Sequence, residues 1–185
     1  KPNVALAEGL VRRGDTAGAA ELAKALASGN AAVAGDAVKA LYEIGERSPR
    51  LIAPHIDAFF ATLSSKHNRL VWGALSALDT IAAIESKKLA KRLPEILAIW
   101  DKTSVIGKDK TVSILCKFVA AGYEEPAIAT LLGILKTSAV NQTPMYAEHV
   151  AAVIPPAHEK ALHAILQRRL GQITQTSKRT RIEKV

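Results

Sequence analysis

The stretch Asn30–Trp100 reads NAAVAGDAVKALYEIGERSPRLIAPHIDAFFATLSSKHNRLVWGALSALDTIAAIESKKLAKRLPEILAIW, and it contains one unit written twice. Adding 37 to Val33, Ala37, Ala40, Leu41 and Ile44 gives Leu70, Ala74, Ala77, Leu78 and Ile81. The same step carries Ile52, Ile56, Phe59, Phe60 and Leu63 onto Leu89, Leu93, Ile96, Leu97 and Trp100. Within each set the spacing is three or four residues, the period of one helix face. A turn-forming Ser-Pro, Ser48-Pro49, separates the two helical halves of the first copy. Each copy is therefore a helix pair, and pairs that recur at a fixed period stack into an α-solenoid.

Working outward, the same seam runs backward onto Ala19, Leu22, Ala23 and Leu26, which predicts a helix over Ala17–Ala27. Before it, Val4, Ala7, Leu10 and Val11 are helically spaced, and Arg13-Gly14-Asp15 supplies a stop and a new start. That opening helix reads either as the second half of a repeat or as a cap on the stack. Asn30 and Asn68 stand where helix caps are expected, whereas Pro54 and Pro94 should split or kink the helices that contain them. Forward, the step of 37 places Thr111, Ile114, Leu115 and Phe118 on the seam. Beyond Gly122 the register shortens to 35, matching Ile128, Leu131, Leu132 and Leu135, then Tyr146, Val150 and Val153. Pro155-Pro156 ends that helix, and Leu162, Ile165, Leu166 and Leu170 mark a last one.

Composition agrees with an all-α fold. Hydrophobic residues make up 49% of the 185, dominated by the strong helix formers Ala and Leu, and aromatics only 4%. No apolar run of about 18 residues offers a membrane span. The single cysteine, Cys116, rules out an internal disulfide and a cysteine-built zinc site, and points to a reducing, cytoplasmic setting. The net charge of +8 is unevenly placed. Residues 86–117 hold eight basic against three acidic residues, and residues 166–185 six against one, while the rest is neutral or slightly acidic. These blocks are candidate phosphate-attracting patches, or else a solvated helix face and a tail.

The segment from Pro49, PRLIAPHIDAFFATLSSKHNRLVWGALSALDTIA, resembles a HEAT repeat, a relative of the armadillo repeat. The features shared are a Pro-led first helix with an apolar end, a turn with Asn68, the start Arg69-Leu70-Val71, and the pair Ala77-Leu78. The resemblance spans roughly Ala17 to Leu170 and departs from the pattern after Gly107, at Lys108, Asp109 and Lys110. It implies a right-handed α-α superhelix of about four helix pairs plus a terminal helix, one domain over 1–170, followed by a basic tail over 171–185. It also implies that the second helix of each pair lines a concave binding face.

On the helix from Asn68, the side opposite the apolar arc carries Arg69, Trp72, Ser76 and Asp79. Trp72 sits about 200° from Leu70, off the seam, and is either a binding hot spot or a residue packed under a neighbouring helix. Equivalent positions are Ala32, Gly35, Lys39 and Tyr42 before it, Ile106, Asp109, Ser113 and Cys116 after it, and Glu148 further on. The mixed charge of this stripe, Lys39 and Arg69 against Asp79, Asp109 and Glu148, favours a protein or peptide partner over a nucleic-acid backbone.

The alternative is a DNA-binding HEAT-like protein, since some members hold damaged DNA as base-excision glycosylases with Trp, Asp and Arg. Trp72, Asp79 and Arg69 supply those residue types without matching the family order. Its basic patch would draw on Lys87, Lys88, Lys91, Arg92, Lys108, Lys110, Arg168, Arg169, Lys178, Arg179 and Arg181. A third reading is a cap or regulatory domain of a larger assembly. No nucleophile–base arrangement, cofactor loop or metal-ligand spacing is present: the five histidines are scattered, and Glu124-Glu125 precede Pro126 as a helix start. Catalytic residues, cofactor and metal are each expected to be none.

Overall fold

The computed structural model describes residues 1–185 and is built from helices without a strand. Local chemistry sets the boundaries. α1 (Pro2–Arg13) ends at Gly14, whose φ of 58° lets its N–H reach back to the carbonyls of Leu10 and Val11. Asp15 then accepts from the Gly18 N–H at 2.8 Å and starts α2 (Thr16–Ala25). Asn30 accepts from Ala32 and Val33 to open α3 (Ala31–Arg47). Pro54 divides the next helix as expected: α4 (Pro49–Ile52), a 3-10 turn (Ala53–His55), then α5 (Ile56–Thr62). α6 spans Asn68–Ile81. Here Asn68 is the first helical residue and not the cap, because the turn before it is closed by the Ser65 hydroxyl accepting from the His67 N–H.

Pro94 repeats the effect of Pro54, separating α7 (Ser86–Ala90) from α8 (Leu93–Leu97). α9 (Val105–Ala120), α10 (Ala127–Thr137), α11 (Thr143–Ala151), α12 (Pro156–Leu170) and α13 (Thr176–Glu183) complete the chain. None of these helices is long and apolar enough to cross a membrane.

Two compact units are present, Lys1–Thr111 and Val112–Val185. In the first, α1, α3 and α6 lie side by side in one layer, and α2 packs on α4 and α5 in the other. The repeated seam is the core: Leu41, Ile44, Ile52, Phe59, Leu78, Ile81, Leu89, Leu93 and Ile96 are fully buried. Val33 departs from the expectation, since it is 47% exposed while its counterpart Leu70 is buried. Val33 falls in the first turn of α3, and Ala34 and Val38 take the inward positions against Leu70. Contact between α3 and α6 is close enough that a Cβ on Gly73 would lie 2.7 Å from a Val38 methyl, so only glycine fits there.

The second unit pairs α10 with α12 and α11 with α13 around Leu131, Leu135, Tyr146, Val150 and Leu162. Residues 171–185, expected as a basic tail, contain α13. Ile173 and Ile182, the only apolar side chains in the segment before the last residue, are buried, which is enough to seat the short helix.

Candidate functional site

The side chains expected to line a binding face come from α3 and α6, and the structure brings several of them together. Tyr42 and Trp72, from neighbouring helices, place their ring centroids 6.0 Å apart at 49°. That tilted arrangement is the favourable one for two aromatic quadrupoles. Both rings are half-buried, leaving part of each in solvent. The Lys39 ammonium sits 4.5 Å above the Tyr42 centroid and is ion-paired to Glu43. Arg47 reaches Glu43 at 2.8 Å and Glu8 of α1 at 3.4 Å, closing a chain of alternating charge across two helices. The Lys39 hydrogen bond outweighs the desolvation of Glu43, and with help from Arg47 it holds that carboxyl below the usual glutamate range.

On the other side of the aromatic pair, Asp36 accepts from Asn3 of α1 at 3.0 Å and from Arg69 of α6 at 3.4 Å. The Arg69 guanidinium lies against Gly35 of α3, 3.4 Å from where a Cβ would stand, which is ordinary contact distance. The face is therefore a partly exposed aromatic step flanked by polar groups tied across helices.

Not every expected residue is on the surface. Ser76 is 4% exposed, and its hydroxyl donates to the Trp72 carbonyl at 2.9 Å. Asp79 is 6% exposed and paired with Lys110 at 3.1 Å. Both sit on a helix flanked on two sides, so the side opposite the seam is partly covered by its neighbours. They act as structural polar groups, whereas Lys39, Tyr42, Arg69 and Trp72 keep accessible surface; Asp109 is half-buried.

The basic residues divide in the same way. Arg92 forks onto Glu95 at 2.6 and 2.8 Å, meets Asp57 at 2.7 Å and lies 3.6 Å above the Phe60 ring. Lys108 lies over the Trp100 ring at 5.4 Å. Arg169 is 7% exposed and donates to the carbonyls of Lys136 and Ser138 and to the Thr143 hydroxyl, satisfying the end of α10. Arg179 donates to the carbonyls of Leu170 and Ile173, Lys178 to Asn141, and Arg181 forks onto Glu148. Four of the six basic residues of the C-terminal block, Arg169, Lys178, Arg179 and Arg181, thus bond to groups of their own unit. Lys87, Lys91 and Arg168 remain exposed. No group of three or more His, Cys, Asp and Glu side chains is placed to hold a metal ion.

Sequence reasoning missed the cross-helix ties. Asn3, Asp36 and Arg69 succeed one another at steps of 33, as do Glu148 and Arg181. In the first unit that is one repeat of 37 less about one helical turn, the diagonal neighbour on the next helix. A search for polar and opposite-charge pairs at that offset would have found them.

No protein-family model matches the chain, and no curated protein matches it. Solved structures do. An engineered protein superposes with a TM-score of 0.71 at 18% identity, over 97% of this chain and 81% of its own. A designed armadillo repeat protein in complex with the peptide (KR)4 gives 0.69 at 14%, over 96% and 82%. A computationally designed armadillo repeat protein for modular peptide recognition gives 0.68 at 16%, over 96% and 83%. The fold is an all-α helical-repeat solenoid of the armadillo and HEAT kind.

Proposed function

We propose that this protein is a non-catalytic scaffold that binds a peptide or protein segment along the concave face formed by α3 and α6. The observation that carries this reading is the Tyr42–Trp72 pair, a partly exposed aromatic step flanked by the Lys39–Glu43 pair within α3 and the Arg69–Asp36 pair between α6 and α3. Trp and Tyr lead the residue types that dominate binding energy, because they bury much area at little conformational cost. Here the flanking groups are already ordered by Glu43 and Asp36, so a ligand meets a preorganised surface. Similarity to designed repeat proteins built for peptide recognition supports the class of ligand and not its sequence.

A displayed peptide library selected against the whole chain tests this. Enriched peptides should lose about thirtyfold or more in affinity for Trp72→Ala, the effect of truncating a hot-spot residue. The variant should keep the far-ultraviolet circular dichroism of the parent. Enriched peptides that bind Trp72→Ala and the parent equally would refute the reading.

A further inference from the structure

Two grooves lie between neighbouring turns of the first unit, at the same place in successive repeats. One runs between the turn after α2 and the turn after α5, has a volume of about 200 Å³ and is lined without a charged side chain. The other, about 430 Å³, lies between the turn after α5 and the turn after α8. At the step of 37, Leu26 and Ala27 of the first groove correspond to Leu63 and Ser64 of the second, and Ser65 to Lys102. Lys66, also in the second lining, stands where the earlier turn has Gly29. Repeat packing accounts for a groove at each step. It does not account for a pair of lysines in only one of them.

Lys66 and Lys102 are both exposed, and neither has a carboxylate partner in the chain, whereas Lys24, Lys39, Lys88 and Lys110 each do. No acidic residue lines the groove. Its other polar groups can donate. The Ser65 hydroxyl accepts from the His67 N–H at 3.1 Å and keeps its own hydrogen, and the Asn68 amide adds N–H donors. Thr103, also in the lining, is 8% exposed and its hydroxyl has no partner. A buried hydroxyl left so is uncommon and calls for an acceptor from outside the chain. Leu63, Val71 and Ile99 supply an apolar wall.

A phosphate monoester brings about two negative charges and three strong acceptor oxygens. Two ammonium groups match the charge and the hydroxyl and amide donors match the oxygens, where a carboxylate would bring half the charge. We propose that this groove is a binding site for a phosphate monoester borne on a short apolar body, the phosphate held by Lys66 and Lys102 and the body against Val71 and Ile99. The site is separate from the α3–α6 face and does not depend on it.

Isothermal titration calorimetry of the whole chain at low salt, with phenyl phosphate as the probe, tests the proposal. Saturable binding is expected, weakened about tenfold by Lys66→Gln with Lys102→Gln. Lys87→Gln with Lys91→Gln removes the same charge elsewhere and should leave binding unchanged. Inorganic phosphate, which lacks the body, and benzoate, which lacks the second charge, should each bind more weakly. A phosphoserine peptide with leucines on both sides separates the two sources of such a group: tighter binding than phenyl phosphate assigns the site to a phosphorylated protein segment, weaker binding to a free ester. All four lysines are exposed, and circular dichroism would verify that each variant keeps its helix content. The proposal is overturned if phenyl phosphate shows no saturable binding, or if the Lys66 and Lys102 variant binds it as the parent does. It is equally overturned if the Lys87 and Lys91 variant loses as much, or if inorganic phosphate or benzoate binds as tightly.

Discussion

Residues 86–117 and 166–185 carry the same excess of five positive charges, yet the two stretches are used differently. In the C-terminal stretch Arg169, Lys178, Arg179 and Arg181 all bond to groups of their own unit, and Arg169 is buried doing so. In the internal stretch Arg92 and Lys110 are tied to carboxylates, whereas Lys87 and Lys91 stay in solvent. The difference follows from what each stretch lies beside. Helix ends leave carbonyls without partners, and the C-terminal arginines satisfy those of α10 and α12. α7 instead presents an exposed outer side with few acceptors. Equal net charge therefore says little about which surface is available to a partner.

The largest effect expected from this contrast is at Arg169. Its removal leaves the Lys136 and Ser138 carbonyls and the Thr143 hydroxyl without this donor, so Arg169→Ala should cost about 2–3 kcal/mol in urea-denaturation stability. A loss below about 1 kcal/mol would return this residue to the surface. Arg92→Ala should cost less, about 1–2 kcal/mol, because the side chain caps the Phe60 ring and forks onto Glu95 while staying partly solvated.

Acid should act on both stretches. Hydrogen bonds from Arg92 and Arg181 hold the carboxyls of Glu95 and Glu148 below the usual glutamate range. A depressed carboxylate contributes stability above its unfolded value, and that contribution is lost as pH falls below about 4 and through the folded value. The thermal midpoint of the parent should therefore fall more steeply below pH 4 than that of Glu95→Gln with Glu148→Gln. Parallel curves for the two would contradict the pairing. At the small end, Lys87→Ala with Lys91→Ala should change stability by less than about 0.5 kcal/mol, since nothing in the chain depends on either ammonium.

The repeat was legible in the sequence because burial imposes one period on every pair: Leu41 and Leu78, Ile44 and Ile81, and Ile52 and Leu89 are all buried at the step of 37. The prolines were legible too, since a missing N–H acts locally at Pro54 and Pro94 whatever the tertiary context. Val33 departs from the seam because Ala34 and Val38 take the inward positions of α3 against Leu70, a choice of facing residue that the repeat step alone does not fix. Ser76 and Asp79 were misjudged because α6 has neighbours on both flanks. α13 escaped notice because two isoleucines nine residues apart carry no visible period, although both are buried. Tyr42 and Trp72 are each visible as residues off the apolar seam, but their contact depends on the offset between α3 and α6, which no single-helix pattern encodes.

Hydrogen exchange of the whole chain, alone and with a peptide selected against it, bears most directly on the central claim. Slowed exchange is predicted in α3 and α6, concentrated around Tyr42 and Trp72, and absent from the same experiment on Trp72→Ala. Protection confined to other helices, or unchanged by that substitution, would contradict the assignment of the α3–α6 face as the binding surface.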